Sequence, residues 1–279
     1  MISVIAYIQS KTNLCRQEAW WMLEHITKQS KEQLLLLNKD QLTKDQKETI
    51  ENWINKLAQE SVPLSYLLEA VPFSNLTIKV TPPILIPRPE TEEWVNDVIQ
   101  TLQPFKKEIK RILDIGTGSG CIALSLAKAF ETAHVTAVDI NPQALKLAQQ
   151  NAESNRIKNI TFTESNLFEN VNNQKFDLIV SNPPYIDPAC KNNMSSTVTK
   201  WEDHQALFAD DQGLTIIKQI LKQAKNNLNP STTLPYQLVL EFDHGQEDMI
   251  TKYAAKNNWL CNVHQDLFGK NRTAYCKTN

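Results

Sequence analysis

The sequence predicts an α/β protein, a parallel sheet with helices on both faces, preceded by a small helical domain. Three observations carry that prediction. From Arg111 onward, short apolar runs alternate with helical stretches, the rhythm of strand–helix–strand units. Three of the chain's six glycines, Gly116, Gly118 and Gly120, cluster where a strand gives way to a helix. Upstream, residues 14–57 show only helical spacing: Ala19, Met22, Leu23 and Ile26 share one face, and Ile50, Trp53, Ile54 and Leu57 another.

Taken in order, the N-terminal helices start at Ser30 with Gln33 and at Thr43 with Gln46, each an S/T-x-x-Q capping box that satisfies orphaned backbone N–H groups. The run Leu34 to Leu37 is expected in the core of this bundle. After Pro63 the stretch Asn75–Val80 alternates, with Leu76, Ile78 and Val80 on one side, as in a half-buried strand of a short hairpin. Thr81–Glu90 contains Pro82, Pro83, Pro87 and Pro89, which fix φ and deny helix and central strand alike. Such a stiff segment holds Arg88 and Glu90 in place. The strands that follow are Arg111–Ile115, His134–Val138, Ile160–Thr163, Phe176–Val180 and Gln237–Phe242, with helices after Gly120, Pro142 and Gly213. Two last strands, Leu260–Val263 and Thr273–Cys276, are joined by too short a loop for a crossover helix and are expected to pair antiparallel. The domain boundaries expected are a helical domain over 1–62, a hairpin and Pro-rich linker over 63–90, and an α/β domain over 91–279.

Composition narrows the function classes. With 41% hydrophobic and 22% charged residues, the 279-residue chain is ordinary globular protein, not a disordered or fibrous one. Its 29 Lys and Arg against 31 Asp and Glu lack the basic excess of phosphate-backbone binders, so no direct nucleic-acid partner is expected. Neither a signal peptide nor an apolar run of the ~20 residues that span a bilayer is visible, which leads to the expectation of a cytoplasmic protein without a membrane partner. Five widely spaced cysteines without a C-x-x-C pair suit reduced thiols better than disulfides, and no metal site is expected.

Chemistry concentrates in two loops. Gly116-Thr117-Gly118-Ser119-Gly120 opens a helix, where glycine allows a tight turn and close approach of a ligand. The next strand ends in Asp139, about 20 residues on, where a carboxylate can accept both hydroxyls of a ribose. Cys121 occupies the third glycine position of a dinucleotide fingerprint, and no P-loop Lys follows, so S-adenosylmethionine fits better than NAD, FAD or ATP. The second loop, Ser181-Asn182-Pro183-Pro184-Tyr185, follows a strand and so faces the same crevice. Asn182 offers an amide oxygen, Pro183 a carbonyl and Tyr185 a flat face, a set suited to a planar NH2 group. Transfer to a nucleic-acid amine is the competing reading, and the acidic balance and small helical N-terminus disfavour it.

These residues resemble the release factor glutamine methyltransferases, the HemK/PrmC family. Besides GTGSG, Asp139 and NPPY, the resemblance includes PLSYLL (Pro63–Leu68), LIPRPETE (Leu85–Glu92), ALFADDQGL (Ala206–Leu214), LVLE (Leu238–Glu241) and DLFGKNR (Asp266–Arg272), and it runs nearly the full chain. It implies a Rossmann-like sheet of seven strands, the last antiparallel. It also implies methyl transfer from S-adenosylmethionine, leaving S-adenosylhomocysteine, to the Gly-Gly-Gln glutamine of class 1 peptide-chain release factors, with the N-terminal domain as docking unit. Gly116 to Gly120 would then line the cofactor, Asp139 hold the ribose, Asn166 and Leu167 border the adenine, and Asn182, close to the methyl group, touch cofactor and substrate alike. Asn182, Pro183, Pro184 and Tyr185, with Arg88 and Glu90, would bind the substrate. The chain departs from the family in having Asn166 where Asp is frequent, and Glu69 and Asp243 where glycines are common.

Overall fold

The computed structural model describes residues 4–35, 41–230 and 233–278. By its internal contacts the chain forms two compact units, Met1–Ala70 with Ser195–Trp201, and Val71–Met194 with Glu202–Asn279.

The first unit is built from amphipathic helices too short to be stable alone, so each depends on the apolar stripe of its neighbours. They are α1 (Val4–Lys11), α2 (Arg16–Thr27), α3 (Lys31–Leu34), α4 (Lys44–Asn55), which runs on as a π turn, and α5 (Leu64–Leu68). Ile8, Ala19, Met22, Leu23, Ile50 and Ile54 form the centre, with Trp53 and Leu57 against it. Both capping boxes are present: Ser30 N–H donates to Gln33 Oε1 and Thr43 N–H to Gln46 Oε1. The Leu34–Leu37 expectation holds for Leu34, which is buried, and fails for Leu35, which is 61% exposed. A one-turn helix buries a single face, so its next residue points away. Leu36 and Leu37 lie outside the described residues. The segment 195–201 also belongs to this unit, with Trp201 Nε1 donating to the Glu60 carbonyl. Glu69 closes α5 at φ 62°, a left-handed position that favours glycine.

The second unit begins with the hairpin of β1 (Ala70–Phe73) and β2 (Leu76–Lys79), whose Leu76, Ile78 and Val80 are buried as their alternation requires. Next comes α6 (Pro89–Leu102). Here the expectation of an extended segment through Glu90 is corrected, because proline has no N–H to lose at the first position of a helix and its fixed φ suits that place. The order then runs β3 (Arg111–Ile115), α7 (Cys121–Ala129), β4 (His134–Asp139), α8 (Pro142–Ser154), β5 (Ile160–Glu164), β6 (Leu178–Ser181), α9 (Thr215–Gln223), β7 (Leu238–Glu241), α10 (Glu247–Lys256), β8 (Trp259–Gln265) and β9 (Asn271–Thr278). The sheet order is β5-β4-β3-β6-β7-β9-β8. All neighbours from β5 to β7 pair parallel, and β9 runs antiparallel to both β7 and β8.

Period-two alternation sends Leu113, Ile115, Ile179, Leu238 and Leu240 to one face, where Ile217, Ile220 and Leu221 of α9 and Ile250 and Ala254 of α10 cover them. On the other side Asn151 of α8 ties the hairpin down. Its Oδ1 accepts from Lys79 N–H at 2.7 Å, and its Nδ2 donates to the carbonyls of Lys79 and Ser119. One expectation fails outright: Cys261 of β8 and Cys276 of β9 are direct cross-strand partners and form a disulfide, while Cys15, Cys121 and Cys190 are free. Spacing along the chain carries no information on strand register, which alone set these two thiols face to face. Among the described residues, no helix is long and apolar enough to cross a membrane, and no group of three or more His, Cys, Asp or Glu is placed to hold a metal ion.

Candidate active site

Strand order reverses between β3 and β6, the position where open α/β sheets bind ligands beyond the carboxyl ends of their strands. Both predicted loops emerge there. The hydroxyl of Ser181, the last residue of β6, donates to the carbonyl of Ile115, the last of β3, at 2.7 Å, so the loops start side by side.

In the glycine loop all three glycines have positive φ. Gly120 meets a second demand, since a Cβ there would lie 3.0 Å from the Cβ of Ala148 on α8. The loop's amides serve the site indirectly. Gly118 N–H donates to Asp139 Oδ2 at 2.8 Å and Asn141 N–H to Oδ1 at 2.9 Å, which fixes the carboxylate at the mouth of the loop. Burial raises the pKa of Asp139, while these two donors act to hold it down. Beneath, Thr117 donates to the wholly buried Asp114, whose carboxyl burial pushes up to about 7.

The Asn-Pro-Pro-Tyr loop is clamped at several points. The Tyr185 carbonyl accepts from Gln246 Nε2, and Ile186 is hydrogen-bonded on both sides to the 207–209 backbone. Gly213 packs under the same carbonyl, where a Cβ would fall 1.9 Å from the oxygen, so any other residue would displace the loop. That contact explains the glycine in ALFADDQGL.

A cavity of about 390 Å³ joins the two loops. Of the residues expected at the site, Gly116, Gly118, Asp139, Asn166, Leu167, Asn182, Pro183 and Pro184 line it. Thr117, Ser119 and Gly120 are buried behind the wall and shape it. Tyr185 is not part of the lining; its ring packs against the core and its hydroxyl donates to Glu241 Oε1 at 3.0 Å. Nor are Arg88 and Glu90. The Arg88 guanidinium is 2.5 Å from buried Glu202, and Glu90 lines a second cavity of about 550 Å³ with Glu93, Asp97 and Asp266. Asn166 Nδ2 donates to Glu169.

Other lining residues were not foreseen. Ile84 and Leu85 come from the proline-rich segment, Asp203 and Phe208 from the stretch after the second loop, and Ile140 follows Asp139. Ile140 is 60% exposed. An apolar residue left open immediately after the acidic strand end is the signal that marks it, since it offers a surface for a flat apolar ring. A carboxylate beside apolar walls matches the chemistry of an adenosine, with hydroxyls at one end and a base at the other. The donor set therefore fits S-adenosylmethionine.

Fold and cavity together define a Rossmann-like methyltransferase. The family described as "PrmC N-terminal domain" matches residues 6–68, and that described as "Methyltransferase small domain" matches residues 98–200. The release factor glutamine methyltransferase of Lactococcus lactis is 38% identical over 91% of this chain and 90% of its own length. That of Francisella tularensis is 40% identical over 85% and 82%. Among solved structures, the ribosomal protein L11 methylase of Lactobacillus delbrueckii shares the fold at a TM-score of 0.52 with 21% identity, covering 71% of this chain and 82% of that one. The chain belongs to the release factor glutamine methyltransferase family.

Proposed function

We propose that this enzyme transfers a methyl group from S-adenosylmethionine to the side-chain amide nitrogen of the glutamine in the Gly-Gly-Gln motif of class 1 peptide-chain release factors. The observation that carries the reading is the single cavity that holds both a ribose-type carboxylate, Asp139, and the acceptors of the Asn-Pro-Pro-Tyr loop, in a chain of this family. Asp139 would hold the ribose, and Ile140, Asn166 and Leu167 would border the adenine. When bound, the cofactor supplies a methyl group made electrophilic by a cationic sulfur.

The difficulty for the protein is the nucleophile, because an amide nitrogen shares its lone pair with the carbonyl. Asn182 Oδ1 and the Pro183 carbonyl can each accept one of the two N–H protons of the substrate. Holding both turns the nitrogen's lone pair toward the methyl group and favours the positive charge that develops there. Pro184 stiffens the loop behind them. After transfer the nitrogen carries a surplus, strongly acidic proton, which leaves to water without a dedicated base. The helical first unit would dock the folded body of the release factor.

The test is mass spectrometry of a purified release factor incubated with the protein and S-adenosylmethionine. A single added methyl on the Gly-Gly-Gln peptide is expected. No methyl, with cofactor binding measured separately, would leave a methyltransferase with another substrate.

A further inference from the structure

Behind Asn182 lies a buried chain of hydrogen bonds that the reaction scheme above does not use. Asn182 Nδ2 donates to Thr91 Oγ1 at 3.1 Å. Thr91 Oγ1 donates to Glu241 Oε2 at 2.6 Å. The same carboxylate takes the Trp94 indole N–H at 2.6 Å and the Tyr185 hydroxyl at 3.0 Å. Thr91 and Glu241 are both 1% exposed. These residues come from α6, the Asn-Pro-Pro-Tyr loop and the end of β7.

The direction of the bonds matters. An asparagine carboxamide has two ends of nearly equal size, and only its partners decide which faces the cavity. Thr91 has one hydroxyl proton. A carboxylate carrying three donors is acceptor-only, so it takes that proton, and Thr91 is left to face Asn182 as an acceptor. An acceptor there selects Nδ2 and turns Oδ1 the other way, as a substrate N–H requires.

We infer that Thr91 and Glu241 are positioning residues for methyl transfer: Glu241 fixes the polarity of the Thr91 hydroxyl, and Thr91 fixes the orientation of the Asn182 carboxamide toward the substrate amide. The inference rests on the role proposed for Asn182. With the relay broken, the carboxamide is free to present its NH2 to the substrate, donor against donor.

The test compares wild type, Thr91→Val, Thr91→Ser, Asn182→Ala and the Thr91→Val/Asn182→Ala double variant in the full chain, with a release factor as substrate. Turnover is read beside S-adenosylmethionine affinity and melting temperature. Thr91→Val is expected to lower kcat roughly 10- to 100-fold with cofactor affinity within about twofold, and Thr91→Ser to restore most of the loss. Adding Thr91→Val to Asn182→Ala is expected to change kcat no further, because the residue acts through Asn182. Where Thr91→Val does not fold, Thr91→Ala takes its place in the same comparison. Full turnover of the variant overturns the inference, as does loss of cofactor binding in step with turnover, which would make Thr91 a prop of the fold. If Asn182→Ala turns over normally, or wild type adds no methyl, the reading beneath it fails as well.

Discussion

At the scale of single residues, two aspartates, half-buried Asp139 and buried Asp114, do different work. Asp139 is held by backbone donors and faces the cavity, so its loss should act on the cofactor first. Asp139→Ala is expected to weaken S-adenosylmethionine binding by about 10- to 100-fold, the range of hydrogen bonds to a charged acceptor, as read by calorimetry. Unchanged affinity would remove it from the ribose site. Asp114 is wholly buried, with its carboxyl at about 7 in the folded chain. In the unfolded chain it titrates near the ordinary value of about 4. Between those limits the folded state holds more protons, so stability falls as pH rises, by up to about 1.4 kcal/mol per pH unit. Thermal melting should therefore show a steeper loss of stability from pH 5 to 7 for wild type than for Asp114→Asn. Parallel curves would mean that the carboxyl stays ionised throughout. Among the residues in which the chain departs from its family, Glu69 accepts a left-handed φ, and Asp243 is not idle, since it pairs with Arg272 at 2.9 Å.

At the scale of elements, the hairpin β1–β2 is attached to the second unit by side chains acting as backbone. Asn151 satisfies both polar groups of Lys79, and Asn155 does the same for Thr77, the pattern a neighbouring strand would provide. Asn151→Ala strands a donor and acceptors together. Denaturant unfolding should show a loss of about 1–3 kcal/mol, with early hydrogen exchange at Lys79. No loss would assign the attachment to Leu76 and Ile78 packing alone. The proline-rich segment works by a similar economy of form. It leads into a helix whose N-cap, Arg88, and first-turn residues Glu90 and Thr91 meet three different partners: Glu202, the acidic cavity, and the Glu241 cluster.

For the whole molecule, the proposed division of labour has the first unit dock the release factor and the second carry the chemistry. Removing the residues before Pro63 is then expected to raise KM for the intact release factor at least about tenfold, while turnover on a free Gly-Gly-Gln peptide stays within a few-fold. Cofactor affinity serves as the check that the remainder is folded. An unchanged KM for the intact release factor after the truncation would dismiss the docking role. The strand–helix rhythm, the capping boxes and both loops of the site are legible in the order of residues, because each rests on neighbours within a few positions: a glycine's φ, a proline's missing N–H, a cap three residues away. The remaining contacts exist only once the chain has folded. Thr91, Asn182 and Glu241 are separated by 91 and 59 positions and meet only because β6 and β7 are adjacent in the sheet with α6 packed over their ends. The Cys261–Cys276 bridge needed the register of β8 on β9, and Glu90 lines a different cavity from Asn182 because successive residues of a helix point about 100° apart. Local chemistry is written in the order of residues, whereas contacts across the sheet are set by burial and strand order, which that order does not spell out.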